Sequence, residues 1–237
     1  MRRGDRAELL DDDALEESGV VANSLMNRER GLVGANSYAK ELGFNPIDYL
    51  LGRRAPSAWL DLCCGRGRAL IEAADLVRER RPAHVPRPVG IDLVDQFDAA
   101  SGLDGDPELI GASVSDWTPS DRFDLITCVH GLHYVGDKIG LLGRLATWLT
   151  DDGRFIAHLD LENIRVEDSP SAPRWVVRAL RANGFEWDSR RHRLTLTGAR
   201  DVEMPLRYLG SSVDSGPNYT GQPAVDSHYE SRNRQAR

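Results

Sequence analysis

The chain has 237 residues, 41% of them hydrophobic and 28% charged, the composition of an ordinary water-soluble domain with room for extra pieces. Its 37 acidic and 30 basic residues leave a net charge of −7, which argues against nucleic-acid binding by phosphate neutralisation. No apolar run approaches the roughly 18 residues needed to cross a bilayer, so no membrane partner is expected.

The N-terminal stretch "MRRGDRAELLDDDALEES" starts basic and turns acidic without an apolar core, unlike a secretory signal, so a cytoplasmic protein is expected. Residues 1–18 lack periodic apolar positions and are expected to be disordered. From Val20 to Leu51 the apolar positions Leu25, Leu32, Tyr38, Leu42, Ile47 and Leu50 take helical spacing, broken by Gly31, Gly34 and "GFNP". Residues 19–54 therefore read as a small helical cap ahead of the main domain.

Strand and helix signals then alternate. "SAWLDLC" (57–63) is an apolar run ending at glycines, and "GRALIEAADLVRERR" continues it as a helix that must end before Pro82, Pro86 and Pro88. "VGIDLV" (89–94), "LIGASV" (109–114) and "FDLITCVH" (123–130) predict three more strands. "KIGLLGRLATWLT" (138–150) predicts a helix, and the turn "DDG" leads to a fifth strand, "RFIAHLD" (154–160). Strands apolar throughout, alternating with helices, indicate an α/β fold with a parallel sheet covered on both faces. "APRWVVRALRANGF" (172–185) is a further helix closed by Gly184. The segments 192–198 and 202–210, around "GARD", predict a hairpin that adds an antiparallel strand. The main domain thus runs over 55–210, and the tail 211–237 holds aromatics and turn-formers expected to pack near the active site.

The three cysteines Cys63, Cys64 and Cys128 form neither a disulfide framework nor a zinc-ligand spacing, and they read as small packing residues. Cys63 and Cys64 sit in "DLCCGRGRAL", a glycine turn between the first strand and helix that aims backbone N–H groups at a ligand. A dinucleotide loop would carry G-x-G-x-x-G for a pyrophosphate. Here Asp61 stands at the start of the loop, where it would repel phosphate but suit a cationic ligand. S-adenosylmethionine (SAM), with an ammonium, a sulfonium and no phosphate, has that charge.

With Asp61, Gly65 and Gly67 spaced as an acid followed by G-x-G-x-G, the sequence resembles the class I SAM-dependent methyltransferases. Cys63 replaces the first glycine of that pattern. The resemblance covers residues 57–210. It implies a Rossmann-like seven-stranded sheet, mostly parallel with a C-terminal antiparallel hairpin strand, and SAM as cofactor. It also implies Asp92, followed by Leu93, at the ribose hydroxyls, Asp116 at the adenine amino group and Trp117 against the ring. The segment "VHGLHYV" matches the region beneath the transferable methyl. Asp61, Cys63, Gly65, Gly67, Asp92, Leu93, Asp116, Trp117, His130 and Tyr38 are the candidate cofactor residues. Asn36 is a second cap residue placed to close over the methionine end.

His133 and His130 are the candidate catalytic residues, His133 as a general base and both equally as orienting groups. His158 and Asp160 are candidates for the acceptor pocket. No metal is expected, because the fourth strand offers histidines rather than the carboxylate of a magnesium-assisted mechanism. The expected partner is a small-molecule acceptor methylated on oxygen or nitrogen in specialised-metabolite biosynthesis, with a homodimer left open. The rival readings are an RNA or protein methyltransferase, a non-catalytic SAM-binding protein and an NAD-dependent oxidoreductase.

Overall fold

The computed structural model describes residues 9–22, 29–167, 172–214 and 216–232. Four short helices come first: α1 (Asp12–Glu16), α2 (Gly19–Ala22), α3 (Tyr38–Leu42) and α4 (Pro46–Leu51). The alternating region follows as β1 (Ala58–Leu62), α5 (Arg68–Arg80), β2 (Arg87–Asp92), β3 (Glu108–Gly111), β4 (Phe123–Cys128), α6 (Lys138–Thr147) and β5 (Leu149–His158). The chain ends through β6 (Ile164–Val166), α7 (Ala172–Ala182), β7 (Glu186–Asp188), β8 (Arg193–Thr197), β9 (Leu206–Ser212) and β10 (Asp226–Ser231).

The main sheet has seven strands in the order β3-β2-β1-β4-β5-β8-β7. Pairing is parallel from β3 to β5, and β8 runs antiparallel to both β5 and β7. This is the mostly parallel Rossmann-like sheet with a reversed strand that the resemblance implies. Every residue of β1 is buried, because helices cover both of its faces. One side carries the larger core with α6 and α7. The other carries α3, α4 and α5 against Trp59, Leu125 and Ile156. The strand order reverses between β1 and β4, and the crevice at their C-terminal ends is where an open α/β sheet offers a ligand site.

Three expectations need correction. The antiparallel hairpin is formed by β7 and β8, not by 192–198 with 202–210. Instead β9 leaves the main sheet and joins a three-stranded sheet in the order β6-β10-β9. Both segments alternate apolar and polar residues, and that pattern fits any half-buried strand without naming its partner. Second, the "DDG" read as a turn lies inside β5, which begins at Leu149 and shifts register against β4 between Phe123 and Leu125. Third, residues 9–18 are not disordered. Leu10 pairs with Ser211 of β9, and Leu15, 1% exposed, buries with Val21 and Val225. The surface receiving this segment lies some two hundred residues downstream, so local periodicity carried no sign of it. Residues 1–8 and Leu25 fall outside the described residues.

Among the described residues no helix is long and apolar enough to cross a membrane.

Candidate functional site

The loop after β1 turns back through left-handed backbone at Cys63 (φ 55°), Gly65 (φ 62°) and Gly67 (φ 74°) before α5 begins. Glycine adopts this region without steric cost, whereas a side chain pays about 1–2 kcal/mol there. Cys63 does so with its thiol held well above the usual range by hydrogen bonding to Cys128 and by burial. The protonated thiol is a packing group, not a nucleophile. Gly67 also packs closely: a Cβ there would stand 2.8 Å from the Leu109 side chain of β3.

Asp92, the last residue of β2, braces the loop. One carboxylate oxygen accepts the Gly65 N–H at 2.8 Å, and the other accepts the Val94 N–H at 3.1 Å. Both oxygens thereby sit at the mouth of a cavity over the strand ends. Its walls are Cys63 and Gly65 of the loop, Asp92, Leu93 and Val94 after β2, Val114 and Ser115 after β3, and residues 131 and 134–136 after β4. Asp12, Leu15, Glu16 and Val21 of the N-terminal helices close the remaining side.

The charge of the lining decides what such a ligand must look like. Among the described residues it holds three carboxylates, Asp12, Glu16 and Asp92, and neither lysine nor arginine. Burial raises the pKa of Asp12 and of Glu16 above the ordinary carboxyl values. Tyr208 donates to Asp12, and the Ser113 hydroxyl donates to Glu16. A pyrophosphate would find no cation among these described residues. A family described as "Methyltransferase domain" matches the sequence over residues 36–197.

The chain belongs to this methyltransferase family.

Solved structures similar to this methyltransferase resemble it only loosely. The plantazolicin methyltransferase BpumL, solved with a monoazolic substrate analogue and S-adenosylhomocysteine, is 19% identical over 47% of this chain and 42% of its own, with a TM-score of 0.39. An O-methyltransferase from a trans-AT polyketide synthase of Brevibacillus brevis, solved with S-adenosylhomocysteine, is 14% identical over 63% of this chain and 45% of its own, with a TM-score of 0.40. YjhP of E. coli is 20% identical over 51% and 48%, with a TM-score of 0.38. The chain spans about half or less of the length of each. No curated protein sequence matches it.

Of the ten residues expected at the cofactor, Cys63, Gly65, Asp92 and Leu93 lie on the cavity wall. Asp61 does not, although it was the acid on which the charge reading rested. It is 1% exposed and accepts hydrogen bonds from the Tyr38 hydroxyl at 2.6 Å and the Thr127 hydroxyl at 2.5 Å. Burial pushes its carboxyl up to about 7. Tyr38 is buried in that bond and packs edge-on against Trp59, so it fastens α3 to the sheet rather than closing over a ligand. Asn36 accepts from Arg30. Gly67 serves packing, Asp116 is exposed, and Trp117 packs edge-on against Trp148; none of them lines the cavity. The acid character expected of Asp61 comes instead from Asp12 and Glu16.

Beside the cavity, beyond the end of β4, four of the six histidines of this methyltransferase gather. His130 stacks on His158, centroids 4.3 Å apart and planes within 7°. His133 lies 5.9 Å from the His130 ring, and His192 stacks on Tyr219 at 3.8 Å. Tyr219 comes from the C-terminal tail. Its backbone N–H donates to Asp160 at 2.8 Å, and its hydroxyl lies 3.3 Å from His130 Nδ1. Asp160 thus anchors the tail. Glu41 of α3 faces both His130 and His158. Hydrogen bonding from His130, more than any other influence, draws the Glu41 carboxyl down to about 2. Burial holds His133 well below the ordinary imidazole value, so its ring is neutral at physiological pH, and neither ring nitrogen has a hydrogen-bond partner. The sequence reading named His130, His133, His158 and Asp160 but missed Glu41, His192 and Tyr219, whose positions carry no shared spacing.

Proposed function

We propose that this chain binds SAM in the cavity over β1, β2 and β4 and methylates an oxygen or nitrogen of a small-molecule acceptor entering beside the histidine cluster. The observation that carries the reading is the lining of the cavity: among the described residues, three carboxylates and no lysine or arginine, at the strand ends of a methyltransferase-family fold. A sulfonium ligand of net positive charge is favoured by that field, and a dinucleotide is repelled by it.

The residues present fit such a ligand. Asp92 offers carboxylate oxygens at the end of β2, the chemistry suited to two vicinal ribose hydroxyls. Leu93, Val94, Val114 and Val135 provide apolar walls for a purine, and Asp12 and Glu16 place negative charge on the opposite side. When bound, SAM supplies an electrophilic methyl group on a sulfonium. The protein's part is then to hold the acceptor atom in line and keep water away. Leu15, Val21 and the buried tail residue Val225 exclude water on the N-terminal side. On the acceptor side, neutral His133 has one unprotonated ring nitrogen to accept a hydrogen bond from an acceptor hydroxyl or amine, which orients it and takes up part of its proton charge.

Calorimetry of the purified chain with SAM, S-adenosylhomocysteine and NAD tests the reading. Micromolar binding of the first two and none of NAD is the expected result. NAD binding without SAM binding overturns it. The acidic surface balance favours a small molecule over RNA, and a panel of hydroxylated and aminated metabolites with radiolabelled SAM tests the acceptor class.

A further inference from the structure

We infer that Glu41, His130 and His158 form a binding site for one divalent transition metal ion of the zinc and iron class. The three side chains come from α3, the turn after β4 and the end of β5, and their donor atoms all lie within 4.8 Å of one another. The inference goes beyond the methyl-transfer reading and does not need it.

The geometry is that of ligands around a common centre. Glu41 Oε2 lies 3.4 Å from His130 Nε2 and 3.6 Å from His158 Nε2. Ligands about 2.1 Å from a tetrahedral ion stand roughly 3.4 Å apart. Both Nε2 atoms lie near the same carboxylate oxygen. A simple ion pair would need only one histidine.

Supporting contacts hold the donors in place. Arg30 donates to the other carboxylate oxygen of Glu41 at 3.0 Å, leaving Oε2 for the imidazoles. The Nδ1 of His130 lies 3.3 Å from the Tyr219 hydroxyl, and Tyr219 is itself stacked on His192. Outer hydrogen bonds of this sort fix the tautomer and ring orientation of ligating histidines. His158 is 3% exposed, and His133, 1% exposed, stands beside the set with both nitrogens unpartnered. Burial of an imidazole without hydrogen-bond partners, as at His133, is costly unless it serves a ligand.

Two imidazoles and one carboxylate are borderline donors, which favour zinc, iron or cobalt over magnesium or calcium. Three protein ligands leave a coordination position open, as in catalytic rather than structural sites. Glu41 and His158 also border an open cleft with Arg154, Arg191 and Arg193, through which an anionic ligand atom would reach that position.

The test uses the full chain after chelator treatment and dialysis, titrated with Zn²⁺ by calorimetry and with Co²⁺ by visible absorption. One equivalent should bind at micromolar or tighter affinity, with cobalt ligand-field bands. Glu41→Gln and His158→Ala should each weaken it at least tenfold, whereas His84→Ala, remote in the fold, should leave it unchanged. Co²⁺ should also broaden the proton resonances of His130 and His158 in the unaltered protein before those of His84, which keeps the test valid if a variant fails to fold. Absence of stoichiometric binding by either ion overturns the site, as does binding that survives both Glu41→Gln and His158→Ala. SAM titrated into the same metal-free protein separates the two readings: lost SAM binding with metal binding intact defeats only the methyl-transfer proposal.

Discussion

Replacing Asp61 by Asn removes an ionisation from the middle of the protein while keeping an acceptor oxygen for one of the Tyr38 and Thr127 hydroxyls and offering the other an amide donor. The folded carboxyl titrates at about 7 because burial penalises its charge more than two hydroxyl donors relieve it, against an ordinary value of 3.8. Between those values the folded chain keeps a proton that the unfolded chain has released. Stability from this group is therefore complete below pH 3.8 and is lost as pH rises toward 7. The full loss is about 4 kcal/mol, from roughly three pH units at about 1.4 kcal/mol each. Lys138, buried and lowered to about 7, has the opposite slope above neutrality, so only the difference between variant and parent isolates Asp61. Urea denaturation at pH 5, 6, 7 and 8 gives that difference. The Asp61→Asn protein should gain on the parent by at least 2 kcal/mol between pH 5 and pH 8. Parallel curves, within about 0.5 kcal/mol throughout, would refute the assignment of a neutral buried carboxyl.

Three further outcomes are expected. Asp92→Ala should weaken SAM affinity at least tenfold in calorimetry and loosen the Gly65 loop, while Asp92→Asn should recover part of the loop support but less of the affinity. Gly131→Ala places a Cβ 2.4 Å from that of Cys63 and 2.8 Å from the Cys128 sulfur, an overpacking that should cost about 1–3 kcal/mol by urea denaturation and reduce SAM binding. Leu15→Ala should cost about 2–5 kcal/mol of local anchoring, with hydrogen exchange quickened in residues 9–22 before the sheet.

The sequence by itself determined the strands β1 to β5, the glycine turn after β1 and the parallel sheet, because each rests on local grammar: apolar runs, helical spacing and glycines where φ turns positive. It also marked Asp92 as an acid at the end of a strand, and Asp92 lies on the cavity wall. It misplaced the role of Asp61. Both acids end apolar runs, and nothing local distinguishes them. Register decides: Asp61 pairs with Thr127 on β4, so its side chain shares a face with that hydroxyl beneath Tyr38, whereas Asp92 stands at the strand tip and reaches the Gly65 loop. Tertiary structure alone assembled the rest. Asp12 and Glu16 reach the cavity because Leu10 and Leu15 dock on strands from the far end of the chain. Glu41, His130, His158, His192 and Tyr219 meet although they come from five separate segments, since the parallel sheet delivers every strand end to one edge and the cap and tail fold over it. Spacing along the chain records none of this, because those distances were set by the sheet and not by the sequence between them.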